Sequence, residues 1–192
     1  MATKTISVSA LAEKVELSNV LYLRPNAREM FEISTIEYGI PLPGDIYVCD
    51  LMGIEDCSGS FVDEFIHKWV RLVRDTENAM FVLTGVSDDV SYTIRSALNL
   101  RNKLDKDSMI ILSFDGITYQ VIGDKLEKNA QEVFNYIVIE KTVTVRMVAE
   151  KFSLELNGAS NRLKKLYDAR LVMRAEQSAE NGGKYEYFLP RI

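Results

Sequence analysis

The sequence predicts an α/β protein with two domains, at 1–124 and 125–192. In the first segment, short apolar runs alternate with stretches of helical spacing, whereas the second has three helical stretches followed by two β-prone runs. The charge also changes sign. Residues 1–124 carry 11 lysine and arginine residues against 19 acidic ones, a net charge of −8, and residues 125–192 carry 12 against 9, a net charge of +3. The change of sign indicates two modules with different partners.

The composition is that of a globular chain. Of its 192 residues, 47% are hydrophobic and 27% are charged, which is enough for an apolar core and shows no bias toward disorder. The total charge of −5 excludes a uniformly basic coat for nucleic acid, but not a local basic face. No apolar run approaches the roughly 18–20 residues of a membrane span, and the N-terminus lacks the apolar stretch of a signal peptide. We therefore expect a cytoplasmic protein without membrane contact.

Strands and helices alternate in the first segment. The apolar runs predict strands at 46–51, 79–85, 109–114 and 117–122. Residues 20–23 fit either a strand or the approach to a helix. Helical spacing is found at 25–33, 61–74 and 91–104. Ser87 can cap the last of these helices, and Asp115-Gly116 is typical of a tight hairpin between the last two strands. This order predicts a sheet with helices packed on it.

Few residues could carry catalysis or hold a metal. The chain has one histidine, His67, and two cysteines, which together make no multi-histidine site and no four-ligand zinc set. Phe61, Phe65 and Trp69 recur at helical spacing, and His67 lies two residues from both Phe65 and Trp69, so we expect it to face solvent. The sequence contains neither of the two glycine-rich patterns that bind phosphate, G-x-x-x-x-G-K-[ST] and G-x-G-x-x-G. The sequence therefore predicts a protein that is not an enzyme and has no cofactor or metal.

A resemblance to a known family begins at the end of the first predicted strand. Asp50-Leu-Met-Gly-Ile, followed by a serine-rich turn and Ser60-Phe-Val-Asp-Glu-Phe, resembles the STAS domain of sulfate transporters and anti-sigma factor antagonists, over about residues 40–122. The resemblance implies a mixed sheet with packed helices. It also implies a serine that a partner kinase phosphorylates, which is Ser58 by local motif and Ser60 by distance from Gly53.

Two roles are open for these serines. A phosphate at a helix N-terminus would meet free N–H groups and a favourable dipole. Four nearby carboxylates would oppose it: Glu55, Asp56, Asp63 and Glu64. Serine is also a preferred N-cap residue, and we favour the interpretation that Ser58 or Ser60 caps the helix.

The second segment has the order helix, helix, turn, helix and hairpin. The helices are predicted at 130–139, 145–152 and 156–169, with Thr144 as a cap for the second of them. Short β-prone runs lie at 142–145, 171–176 and 184–190, and 178–183 is a turn-rich tip. The third helix has one apolar stripe, expected to face the other helices: Leu156, Ala159, Leu163 and Leu166.

These residues resemble a winged helix-turn-helix domain, an α+β fold, over about 126–190. Val148-Ala-Glu-Lys-Phe is similar to its second helix, Asn161-Arg-Leu-Lys-Lys-Leu to its recognition helix, and Gly183-Lys-Tyr-Glu-Tyr to its returning strand. A helix fits the major groove, where asparagine and serine can read base edges and lysine can bind guanine or phosphate. The candidate contacts to double-stranded DNA are Asn157, Ser160, Asn161, Arg162, Lys164 and Lys165 on the third helix, Arg146 and Lys151 on the second, and Arg174 and Lys184 in the wing.

The combined interpretation is a DNA-binding transcriptional regulator. Its acidic STAS-like domain, 1–124, would sense a regulatory protein or kinase, or form a homodimer, and its winged domain, 125–192, would contact DNA. Lysine and asparagine on an outward helix face are also ordinary solvated residues, and winged domains also bind proteins. The alternative is therefore a scaffold switched by phosphorylation, in which both modules bind proteins. A small-molecule sensor is a third and weaker hypothesis.

Overall fold

A computed structural model describes residues 2–106, 108–177 and 184–192. The architecture is mixed α/β, and the chain divides into two compact units, Met1–Asp124 and Lys125–Ile192. The division lies where the net charge changes sign along the sequence. The predicted turn-rich tip at 178–183 lies outside the described residues.

The first unit alternates strands and helices along its length. Its elements are β1 (Thr3–Ser7), α1 (Val8–Lys14), β2 (Val20–Leu21), α2 (Arg24–Tyr38), β3 (Ile46–Asp50), β4 (Asp56–Cys57), α3 (Gly59–Phe61), a π-helical turn (Val62–Ile66), α4 (His67–Arg74), β5 (Met80–Thr84), α5 (Asp88–Asp105), β6 (Ile110–Phe114) and β7 (Tyr119–Gly123). The strands predicted at 46–51, 79–85, 109–114 and 117–122 are confirmed with small shifts of their ends.

The main sheet of this unit is mixed and has the order β1-β3-β5-β6-β7. The first four strands are parallel, and β7 returns antiparallel to β6 with Phe114 paired to Tyr119. The Asp115 carboxylate accepts hydrogen bonds of 2.8 Å from the backbone N–H groups of Ile117 and Thr118. This side chain closes the hairpin that Asp115-Gly116 predicted.

We call the continuous helical stretch 59–74, made of α3, the π-helical turn and α4, the central helix. Its aromatic face is buried as the spacing predicted, and Trp69 is fully enclosed. The Trp69 indole N–H donates to the Ser34 hydroxyl over 2.9 Å, and its ring packs edge-on against Phe31, with ring centroids 5.8 Å apart. These contacts join the central helix to α2 and satisfy the buried indole donor.

The prediction that His67 faces solvent is wrong, because the residue is only 5% exposed. The central helix contacts α2, α5 and β5 of the sheet, so three different elements help to enclose it. Burial lowers the pKa of His67, and the neighbouring Arg71 and Arg101 lower it further, while Asp63 and Asp105 act in the opposite direction. Apolar residues repeating every 3.6 positions identify one buried face of a helix. They do not show whether neighbouring elements also bury other faces of that helix.

Glu64, also on the central helix, is a buried carboxylate held by three cations. Arg28 binds it with two hydrogen bonds of 3.0 and 3.1 Å, Lys68 lies 2.7 Å away, and Arg24 binds the same carboxylate. Arg24 also reaches Asp63 at 3.3 Å. The hydrogen bonds from Arg28, Lys68 and Arg24 outweigh the effect of burial and hold the pKa of Glu64 well below its usual range. The cluster ties the start of α2 to the central helix.

The second unit is built from three helices and a small sheet. Its elements are α6 (Lys128–Glu140), β8 (Thr142–Thr144), α7 (Val145–Phe152), α8 (Leu156–Asp168), β9 (Met173–Glu176) and β10 (Tyr185–Phe188). The sheet has the order β8-β10-β9 with both pairs antiparallel. The Thr144 hydroxyl accepts a 3.2 Å hydrogen bond from the Met147 N–H, so the predicted cap is confirmed. Within the described part of the chain, no helix combines the length and apolarity needed to cross a membrane.

We expect Glu64→Gln to lower the free energy of unfolding by about 1–3 kcal/mol at pH 7, because the neutral amide leaves three cations without their buried counter-charge. The folded pKa of Glu64 lies below its unfolded value, so this stabilisation is complete above the ordinary carboxylate pKa of about 4.3 and is lost as the pH falls below it. Urea unfolding followed by Trp69 fluorescence measures both effects.

Glu29→Gln is the control for this variant, since Glu29 is exposed on α2 and loses the same charge. Equal destabilisation by the two variants, or a difference that does not shrink in acid, would contradict the structural role of the Glu64 cluster.

Candidate nucleic-acid interface

The turn between α7 and α8 sets the direction of α8. Ser153 has φ of 52°, and the next N–H, of Leu154, bonds the Ala149 carbonyl over 2.9 Å, which ends α7 abruptly. Ala149 and Ala159 are both buried, and α7 and α8 pack against each other. Small buried side chains leave room for two helices to approach closely.

The buried side of α8 consists of Ala159, Leu163, Leu166 and Tyr167. Leu156 does not belong to it, because it is 57% exposed, and this part of the predicted apolar stripe is wrong. Leu156 is the first residue of α8. At the end of a helix, a side chain can be exposed even when it is on the same side as the buried residues, because no neighbouring element needs to extend that far.

The opposite side of α8 carries the predicted polar residues. Asn157, Asn161, Lys164 and Lys165 are all exposed, and we call these four residues the α8 outer face. Ser160 is half-buried at its border. Arg162 is also half-buried, and it points away from Lys164 because residues two apart on a helix differ in direction by about 200°. The structure therefore brings four of the six predicted α8 contacts together on one surface.

Both lysines of this face are paired with acids within the same unit. The Lys164 ammonium nitrogen lies 3.4 Å from a carboxylate oxygen of Asp168, one helical turn further on. That of Lys165 lies 2.9 Å from a carboxylate oxygen of Glu127. All four side chains are more than half exposed. Exposed pairs of this kind contribute about 0–1 kcal/mol each, so the lysines remain available to a stronger anion.

Arg174, predicted to contact DNA from the wing, is held by aromatic rings. Its guanidinium lies 4.1 Å from the centre of the Tyr167 ring and 4.3 Å from that of Tyr185, and it also donates to Tyr187. Cation–π contacts of this geometry contribute about 0.5–1 kcal/mol each at partly exposed sites. Arg174 thus fastens β9 and β10 to the end of α8, and its side chain is engaged within the unit.

The remaining basic candidates lie on α7 and next to the returning strand β10. Lys184 is exposed at the start of the returning strand, 3.3 Å from Glu176, and hydrogen bonds to Tyr185 and Glu176 raise its pKa. Arg146 and Lys151 are exposed on α7, with the Lys151 ammonium 5.7 Å from the centre of the Tyr136 ring. The sequence could identify these charges, but it could not show which of them have local partners.

Of the two candidate serines in the first unit, Ser58 takes the capping role. The Ser58 hydroxyl accepts a 3.2 Å hydrogen bond from the Phe61 N–H, and it lies 2.8 Å from the Ser60 hydroxyl. Two of the four carboxylates expected to oppose a phosphate here, Asp63 and Glu64, are paired with cations. The predicted cap is therefore confirmed at Ser58, and the local field is less acidic than the sequence indicated.

No metal centre is formed by the residues described in the structure, since no group of three or more potential ligands comes together among them. Cys49 and Cys57 are both buried as free thiols. Burial raises the pKa of both, that of Cys57 to about 12, so neither thiol is reactive near neutral pH.

We expect Ser58→Ala to destabilise the first unit by about 1 kcal/mol, because the Phe61 N–H loses its capping acceptor. Ser60→Ala, the matched control, should change stability by less than about 0.5 kcal/mol. Urea unfolding with Trp69 fluorescence compares them, and a larger effect at Ser60 would show that the cap has been assigned to the wrong hydroxyl.

The chain has no counterpart in three comparisons: no protein-family model, no curated protein and no solved structure matches it.

Proposed function

We propose that the chain is a DNA-binding regulator of transcription. In this proposal, residues 125–192 are a winged helix-turn-helix domain, and residues 1–124 are a STAS-like domain that binds a regulatory partner or a second copy. The observation that carries the proposal is the α8 outer face, Asn157, Asn161, Lys164 and Lys165, which is exposed while the other side of the same helix is buried.

The chemistry of this face suits the major groove of DNA. The groove is about 12 Å wide and admits one α-helix. Asparagine amides can bind adenine at N6 and N7, and lysine ammonium groups can bind guanine or phosphate. Asn157 and Asn161 lie one turn apart in the N-terminal half of α8, the half that reads base edges in helix-turn-helix proteins, and Lys164 and Lys165 follow them.

Phosphate contacts would come from several elements of the same unit. Lys164 and Lys165 can exchange their exposed acidic partners for phosphates at small cost. Arg146 and Lys151 project from α7, and Lys184 lies on the hairpin. These contacts position the helix on the duplex without reading its sequence.

The net charge of +3 on this unit predicts weak binding by one copy and a strong dependence on salt. Two copies would double the phosphate contacts and match a pseudo-palindromic site with half-sites about one helical turn apart. We therefore propose a homodimer as the form that binds its operator.

We expect the Lys164→Ala/Lys165→Ala double variant to bind duplex DNA more weakly and with a smaller salt dependence. Each lysine–phosphate pair that the substitutions remove should reduce the slope of log K against log salt by about 0.9. Fluorescence anisotropy with labelled duplex, between low and physiological salt, measures both quantities.

The control for this variant is Lys125→Ala/Lys128→Ala, which removes the same charge from the same unit at two exposed positions. An equal loss of affinity in both double variants would mean that only net charge matters, and absence of binding at low salt would remove the proposal altogether.

Asp168→Asn should strengthen DNA binding, because it removes the carboxylate that pairs with Lys164 and a negative charge next to the approaching phosphates. Asp105→Asn, in the other unit, is the comparison. The same anisotropy titration would contradict the role of α8 if the Asp168 variant bound no better than the wild type.

A second candidate function is the scaffold switched by phosphorylation. The observation that favours it is the pair of Ser58 and Ser60 hydroxyls at the start of the central helix, both only half-buried. A phosphate there would face free N–H groups of the helix. Mass spectrometry of protein isolated from its own cells tests this, and the hypothesis fails if neither serine carries phosphate under any growth condition.

A further inference from the structure

The second unit contains a cavity that neither of the functions proposed above uses. Its volume is about 320 Å³, and it is lined by residues of α6 between 132 and 140 and by the last two residues of α7. Small-molecule pockets in proteins span about 300–1,000 Å³, so this one admits only a small ligand. The chemistry of the lining indicates the class of ligand.

One part of the lining is apolar. The rings of Tyr136 and Phe152 meet edge-on, with their centroids 5.8 Å apart and their planes at 88°. Ile139 belongs to the same lining and is 73% exposed, so its aliphatic side chain faces water. A ligand with an apolar body would cover these side chains and remove their apolar surface from water.

The charged part of the lining is mainly acidic. Among the described residues, the charged side chains that line the cavity are the carboxylates of Glu132 and Glu140 and the ammonium of Lys151. Burial raises the pKa of Tyr136, and the charges of Glu140 and of Glu150 on α7 raise it further. The Tyr136 phenol therefore lies in the field of two carboxylates, and such a field favours a cation.

The ends of two helices add to this field. Glu140 is the last residue of α6 and Phe152 is the last residue of α7, and both line the cavity. The C-terminal end of a helix carries about half a negative elementary charge, because its last carbonyl groups lack partners within the helix. A cation in the cavity would be stabilised by these helix ends as well as by the carboxylates.

The protein already holds a cation of its own against this lining. The Lys151 ammonium nitrogen lies 5.7 Å from the centre of the Tyr136 ring, within the roughly 6 Å over which a ring attracts a cation. Lys151 is exposed, and cation–π contacts at exposed sites are weak. An ammonium group that also brings an apolar body can therefore take its place.

We propose that this cavity binds a small organic cation, with its ammonium group between Glu140 and the Tyr136 ring and its apolar body against Ile139 and Phe152. The ligand class is an amine that carries one aromatic or branched aliphatic group. The cavity is formed within the second unit, and the proposal does not depend on DNA binding by α8.

The test compares three probes that share one apolar body and differ in charge. Near neutral pH, phenethylamine is a cation, phenethyl alcohol is neutral and phenylpropanoate is an anion. Two-dimensional NMR of the isotope-labelled full chain follows the amide signals of Ile139 and Phe152 during each titration. We expect phenethylamine to bind with a dissociation constant of about 1 mM, as suits a probe of this size. The alcohol should bind about five-fold more weakly, and the anion more weakly still.

Two substitutions should change the affinity for phenethylamine in opposite directions, which a loss of folding could not do. Glu140→Gln should weaken binding about five-fold, because a carboxylate that attracts the ammonium group is lost. Lys151→Gln should strengthen binding about three-fold, because the competing ammonium is lost. The matched controls are Glu155→Gln and Lys125→Gln, which remove the same charges at exposed positions outside the lining and should leave the affinity unchanged.

Equal affinity for the three probes would mean that the cavity is an apolar cleft without charge selection, and would overturn the proposal. It would also be overturned if about 10 mM phenethylamine left the signals of Ile139 and Phe152 unshifted, or if neither Glu140→Gln nor Lys151→Gln changed the affinity. DNA binding is measured separately by the anisotropy titration, so the two proposals can fail independently.

Discussion

The burial of one side of α8 is the constraint on which the candidate interface depends. Ala159, Leu163 and Leu166 are almost completely enclosed, and each buried leucine contributes about 1.5–3 kcal/mol relative to exposure. A rotation of the helix by one residue, about 100°, would expose this surface and bury asparagine and lysine instead. The rotational setting of α8 is thus strongly determined, and the direction of the α8 outer face follows from it.

Local pairing, more than net charge, governs the electrostatics of both units. In the acidic first unit, Glu64 collects three cations around one buried carboxylate. In the basic second unit, the lysines of the α8 outer face have exposed acidic partners that a phosphate can replace. Arg174 is different, since two tyrosine rings and a hydroxyl hold it inside its own unit. Equal formal charges therefore differ widely in their availability to a partner.

Sequence patterns failed where tertiary neighbours overrode local periodicity. His67 was expected in solvent, but it is buried, and Arg101 and Asp105 of α5 lie close enough to influence its pKa. Leu156 was expected in the core, but it is the first residue of α8 and its side chain is exposed. The strand β1 was not predicted, because Thr3-Lys-Thr-Ile-Ser buries only Ile6 fully and lies at the edge of the sheet. The two-residue strand β4 is too short to show any period.

The sequence by itself determined the order of the main strands and helices, the hairpin at Asp115, the cap at Thr144 and the amphipathic character of α8, because each depends on residues close together in the chain. Only the tertiary structure decided which polar groups are free, which are paired and which are enclosed. Arg28 and Arg24 lie 36 or more residues away in sequence from their partner Glu64. Glu127 is equally remote, at 36 or more residues from its partner Lys165. Such encounters depend on packing between elements, which no local spacing encodes.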